Sequence, residues 1–319
     1  MRCSSSSLVA LAFVAVSSAQ LSAQSLSAYD VFVFQNFAHT NSETNGRIAI
    51  GGNADMTHWG VGQFLPHDYS DFSLVVGGNL TSFEGGVFNG RTYVGGTLTA
   101  VNTGFPAAHP PEGGTPPVDF SSEIVRLTGI SNAYAAMADN GSTRWYNGEL
   151  EFLGGAGTNV YTVTIEDLQA STAGYAFINP SGAVNIVNVI GSSATSAFNN
   201  NGYFFDCLAA DDRSTCQSGT NFATPMGAYL TTWNFNQQET IEVGGPVHGN
   251  ILAPNASVNF GQGDVVGDVV VRNATSAAEY YSLDAQTFPT PEPATLGLVA
   301  IGIATVAGAV RLRRRNTAR

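Results

Sequence analysis

The chain has 319 residues, a formal net charge of −12, and 44% apolar against only 11% charged residues. Six of its 12 basic residues stand at the two ends (Arg2, Arg311, Arg313, Arg314, Arg315, Arg319), so the long middle is strongly acidic and repels nucleic acid and anionic lipid. No lysine occurs anywhere, which removes Schiff-base chemistry, a phosphate-loop lysine and lysine isopeptide crosslinks.

In chain order, Arg2, the apolar run from Leu8 to Val16 and the small residues Ser17-Ser18-Ala19 predict a secretory signal over 1–19. The run is too short to span a bilayer. Glycine-rich units then recur: Asn45-Gly46-Arg47-Ile48-Ala49-Ile50-Gly51-Gly52, Leu74-Val75-Val76-Gly77-Gly78-Asn79, and Asn89-Gly90-Arg91-Thr92-Tyr93-Val94-Gly95-Gly96. Val247-His248-Gly249-Asn250-Ile251-Leu252 and Val265-Val266-Gly267-Asp268-Val269-Val270 follow much later. A short strand, a glycine corner and another short strand, repeated, predict stacked coils of a β-solenoid, with the units in one glycine column and distant halves of the chain in one sheet. A β-sandwich is the competing architecture for short strands with glycine turns.

Between these sets, 106–117 is a Pro/Gly-rich loop, and Asp119 caps a predicted helix running to about Asp139. Phe120, Ile124, Leu127, Tyr134 and Met137 share one face of it, so the helix is expected to lie along the β structure as a cover. Strands are predicted at 159–165 and 183–190, and 176–182 reads as a strand entering a turn. Cys207 and Cys216 bracket a polar loop; in an exported protein they are expected to form a disulfide, the alternative being two free thiols. Near the end, Pro291-Glu292-Pro293 precedes an uncharged run, 294–310, and then Arg311, Arg313, Arg314 and Arg315. That run is just long enough to span a membrane, with the arginines on the cytoplasmic side.

The chemistry-bearing residues do not assemble into a recognisable catalytic motif. His39, His58, His67, His109 and His248 fall in no metal-ligand spacing, and no Gly-x-Ser-x-Gly elbow is present. His67-Asp68 with Asp71, and Asp206 with Asp211 and Asp212, read better as solvated loops than as cation sites. Glu149 and Glu151, two apart on a strand, would face one side together, and Glu166-Asp167 is a second acidic pair. Trp59, Tyr69 and Trp145 would suit stacking on sugar rings if exposed.

Two resemblances rest on these residues. Pro291-Glu292-Pro293, the apolar run and the four arginines resemble the PEP-CTERM sorting signal; that resemblance implies recognition by an exosortase-type membrane protease in a Gram-negative bacterium and release toward the cell surface or exopolysaccharide matrix. Tyr29-Asp30-Val31-Phe32-Val33-Phe34, Gly46 to Ala54, Val75 to Leu80, Trp233-Asn234-Phe235 and His248-Gly249-Asn250-Ile251-Leu252-Ala253-Pro254-Asn255-Ala256 together resemble the choice-of-anchor A family. Its members are exported domains carried on different surface-sorting tails. A histidine usual in that family soon after Glu279 is missing here, which weakens any metal role at that position.

The expected organisation is therefore a signal peptide over 1–19, a mainly β solenoid domain over 28–288 with one long helix alongside, and a sorting and transmembrane tail over 289–319. The expected function is structural or adhesive, at the cell surface or in the exopolysaccharide matrix, with no catalytic residues, metal or cofactor. A matrix-polysaccharide enzyme using Glu149 and Glu151, or an ice-binding solenoid, are the alternatives.

Overall fold

The computed structural model describes residues 27–67, 69–180, 182–191, 196–198, 204–207, 216–218, 230–261 and 263–281. The expected signal peptide and the tail, including Pro291, Glu292, Pro293, Arg311, Arg313, Arg314 and Arg315, lie outside the described residues. Among those described, no helix is long and apolar enough to cross a membrane.

Eighteen strands form one wound sheet in which neighbours run parallel. On its first face the order is Arg91–Val94, Phe72–Val76, Ile48–Ile50, Val31–Val33, 269–271, 251–253, Thr231–Asn234, Val184–Ile190 and Thr158–Thr164. The chain thus begins in the middle of the stack and winds to one end. It crosses to the other end and winds back until Val269 pairs with Val31. The distant halves meet in one sheet, as the repeats predict. The triplets 31–33, 48–50, 74–76, 251–253 and 269–271 on this face are apolar throughout because both their sides are buried. Val31, Ile48, Leu74 and Val269 point into the solenoid core, whereas Phe32, Ala49, Val75 and Val270 point outward beneath the helix.

That helix, α1 (Phe120–Ala135), starts where Asp119 accepts the Ser122 N–H. It ends at Ala135, short of the predicted Asp139. Sixteen residues cover ~24 Å, roughly five strand spacings, so α1 can follow the stack along the first face. Leu127, Ile130 and Tyr134 are buried against Phe32, Val75, Leu252 and Val270, with Phe120, Ile124 and Met137 partly buried around them. Polar groups fix its position as well. Ser131 Oγ donates to Asn234 Oδ1 at 2.7 Å, and Asn234 Nδ2 donates to the Ser131 carbonyl and to Asn188 Oδ1.

The glycine units occupy two corners, which corrects the expectation of one column. The pairs Gly51-Gly52, Gly77-Gly78 and Gly95-Gly96 follow the first-face strands and stack on one another; a Cβ at Gly77 would run into the Gly51 carbonyl. Gly249 and Gly267 precede their strands, at positive φ. Beside the first corner runs an asparagine ladder. Asn273 Oδ1 accepts the Asn36 N–H, Asn36 that of Asn53, Asn53 that of Asn79, and Asn79 that of Thr97, at 2.8–3.1 Å. Each asparagine supplies an acceptor where the chain turns out of the ladder.

Two further elements were not predicted. A short helix, α2 (Ile165–Ala170), begins with a Thr164/Asp167 capping box and packs against both Thr158–Thr164 and Ser196–Ala197. A separate five-stranded sheet contains Ser142–Tyr146, Glu149–Leu153, Gly174–Ile178, Phe204–Cys207 and Cys216–Ser218. Its Phe152, Tyr175 and Phe177 surround Trp233 with ring centroids 5.7–5.9 Å away. Cys207 is buried and disulfide-bonded, and Cys216 stands opposite it in the antiparallel register.

Candidate functional surfaces

The second face lies past the Gly51-Gly52, Gly77-Gly78 and Gly95-Gly96 corner from the one that α1 covers. Its outward row runs across neighbouring coils through Glu242, Asn259, Thr275, Ala38, Asp55 and Thr81, all exposed. Leu98 pairs with Leu80, which brings Thr99 beside Thr81. Thr40 pairs with Thr57 one step further along the strands. The inward residues between them, among them Phe37, Met56, Leu80 and Val258, are core.

Where Phe37–Thr44, Ala54–Val61 and Leu80–Val87 bend from this face to the third, Asn41, His58 and Ser82 adopt positive φ of 51–59°. Beyond the bend lies an open groove of about 610 Å³. Its floor is glycine on successive coils: Gly60 pairs with Gly86, and Gly86 bridges Gly104. A Cβ added at Gly104 would meet nothing within 4 Å, so the space directly above it is open. Phe88, Phe105 and Tyr69 are the aromatic walls; Phe88 is 51% exposed, and Tyr69 stacks on His109 with centroids 4.6 Å apart. Glu43 and His58 supply the polar lining, and His58 Nε2 lies 3.3 Å from Glu84 Oε2.

Glu43 is backed by carboxylates on the adjoining coils. Thr44 pairs with Tyr280, and Glu279 pairs with Asp264, so Glu43, Glu279 and Asp264 stand in one row. Burial, then a carboxyl–carboxyl hydrogen bond with Glu279, pushes Glu43 up to about 7. Burial and the Glu279 charge also raise Asp264. Asn45 Nδ2 donates to Glu279 at 3.0 Å, and Gln63, with its amide turned to donate, reaches both Glu43 oxygens at 2.8 and 3.1 Å.

The residues singled out from the sequence disperse. Trp59 is core, while Trp145 is 46% exposed on the strand Ser142–Tyr146, outside the groove lining. Glu151 is fully buried and ion-paired with Arg144, so it does not present a second open carboxylate beside Glu149. Asp71 pairs with Arg47 at 3.0 Å, and Asp167 caps α2. Asp68, Asp211 and Asp212 lie outside the described residues, as does the side chain of Asp206. Among the described residues no three of His, Cys, Asp and Glu are grouped to hold a metal ion. The groove itself was not read from the sequence: Glu43, His58, Phe88 and Gly104 sit on different coils, and of the aromatics singled out for sugar stacking Tyr69 and the buried Trp59 line it.

The architecture is that of a parallel β-solenoid with a helix laid along one face. Residues 22–281 match the ice-binding-like adhesive domain family, and the chain belongs to that family. No curated protein matches it. Among solved structures it is similar to the crystal structure of an ice-binding protein from an Antarctic ascomycete, Antarctomyces psychrotrophicus. Identity is 11% and the TM-score 0.32, over 81% of this chain and 96% of that one.

Proposed function

We propose that this chain is an exported adhesive protein of a bacterial surface or exopolysaccharide matrix, and that its glycine-floored groove takes hold of a glycan chain. The groove is the observation that carries the reading: a concavity with aromatic walls and a few convergent polar groups is what a sugar requires, since its faces stack on rings and its hydroxyls need partners. Membership of an adhesive family supports the same role. Delivery would follow from the signal over 1–19 and the PEP-CTERM-like tail, through an exosortase-type enzyme and a transient membrane anchor. We read it as a binding protein and not an enzyme, because Glu151, half of the one carboxylate pair considered for glycoside chemistry, is buried against Arg144. The test is retention of host matrix polysaccharide by the full-length protein and by Gly104→Leu, whose added bulk starts in open space and narrows the groove. Retention should fall at least about tenfold in the variant; equal retention by both would overturn the groove as the contact.

A second reading is favoured by the second face. Its exposed row of Thr275, Ala38, Asp55, Thr81 and Thr99, with Thr40 and Thr57 beside it, is a regular polar strip on a rigid parallel ladder. Such a strip suits ordered water, although Asp55 and Glu242 place charges in it. Thermal hysteresis by the wild-type protein, lost in Thr81→Tyr, would establish ice binding; no hysteresis at millimolar protein would remove it.

A further inference from the structure

We infer that the groove is selective for amino-bearing saccharides, with the Glu43 carboxylate as the residue that recognises the sugar ammonium group. This inference rests on the glycan reading above and narrows it to a chemical class. Three features of the groove lead there.

The first is the sign of its charge. Glu43 lines the groove and Glu84 holds His58 at its edge, while no arginine lines it among the described residues and the chain contains no lysine. The nearby guanidinium groups are committed elsewhere: Arg47 to Asp71, and Arg91 to Glu112 and the Phe72 ring. A uronate or sulfated chain would therefore meet repulsion and find no guanidinium partner.

The second is the pairing of an aromatic ring with a carboxylate. A Cβ placed on Gly60 would lie 2.9 Å from the Phe88 ring edge and 3.3 Å from Glu43 Oε2, so ring and carboxylate flank one spot on the glycine floor. An ammonium on a carbon skeleton is stabilised by both at once. A bare divalent cation needs six or more oxygens, which this spot does not offer.

The third is the row behind Glu43. Burial and then Glu279 on the next coil hold Glu43 partly protonated near neutral pH, and Glu279 with Asp264 behind it adds negative potential once Glu43 ionises. An arriving ammonium favours the ionised form, so binding expels the shared proton to solvent. Affinity should pass through a maximum near neutral pH, falling on the acid side as Glu43 is protonated and on the alkaline side as the sugar amine loses its proton.

Calorimetric titration of the full-length protein with glucosamine oligomers, fully N-acetylated glucosamine oligomers and galacturonate oligomers tests this. Glucosamine oligomers should bind about tenfold more tightly than the acetylated ones, and galacturonate should not bind. Glu43→Gln should erase the preference, so that glucosamine and acetylated oligomers bind the variant alike. Glu84→Gln, outside the aromatic–carboxylate spot, should retain most of the preference. Acetylated oligomers binding as well as glucosamine, and lost in Gly104→Leu, would overturn the charge inference and leave the groove reading standing. Oligomer binding unaffected by Gly104→Leu would overturn both.

Discussion

At the scale of single residues, two buried histidines set the response to acid. His39 is stacked on Phe37 at 3.9 Å inside the solenoid, and burial lowers it to about 3; burial lowers His248 to about 4. The unfolded chain therefore takes up protons near pH 6.5 that the folded chain refuses, and stability is lost as pH falls from about 6.5 toward 4 and 3. Each histidine contributes a slope of up to about 1.4 kcal/mol per pH unit. Urea unfolding between pH 4 and 7 should show this acid limb, and His39→Phe should flatten it; an identical slope in the variant would refute the assignment. Glu43 acts with the opposite sign, because its raised value makes the folded state lose stability as pH climbs from the ordinary carboxylate range to about 7.

At the scale of elements, the docking of α1 depends on more than its apolar stripe. Ser131 sits in the middle of the buried side, and Asn234, Asn188 and Asn236 meet it or its neighbours with hydrogen bonds of 2.7–3.0 Å. Leucine at position 131 would have continued the stripe, yet the serine fixes the helix at one register over the sheet. Asn234→Ala removes the buried acceptor of the Ser131 hydroxyl and the donor to Asn188 Oδ1, and should cost about 1–3 kcal/mol. Asn236→Ala, at the rim of the same network, should cost well under half of that. Urea midpoints at unchanged m-value give the comparison; equal effects would mean that the helix is held by apolar contact alone.

At the scale of the whole molecule, the coil at 31–33 is a keystone between the 48–50 coil and the 269–271 coil. The ladder is complete only when both ends of the described chain have met, so the fold is dominated by contacts distant in sequence. Function at this scale also depends on delivery. If the tail is a sorting signal, replacing Arg311, Arg313, Arg314 and Arg315 with glutamine should stall the protein before it reaches the surface, as read by surface labelling of intact cells. Unchanged display would mean that these charges carry no sorting information.

Much of this was legible in the sequence because it is local. Apolar triplets beside recurring glycine corners favoured a stacked ladder over the competing β-sandwich, and Asp119 followed by a one-sided apolar stripe favoured a covering helix. Composition removed lysine chemistry outright and made nucleic acid a poor partner for so acidic a chain. What lies across coils was not legible. Successive coils are offset by 17 residues at Asn36–Asn53, 26 at Asn53–Asn79 and 18 at Asn79–Thr97, so lateral neighbours fall at no constant spacing. For that reason the two sets of glycine units looked like one column although they turn different corners. The same irregular offset hid the outward threonines of the second face. It also hid the groove, where Glu43, Gly60, Phe88 and Gly104 become neighbours only once the coils are stacked. Sequence by itself determined that the chain would build a glycine-cornered parallel β stack with a helix beside it. Tertiary structure alone decided which side chains share its open surface, because in a solenoid the lateral partner of a residue is set by the length of every coil between them.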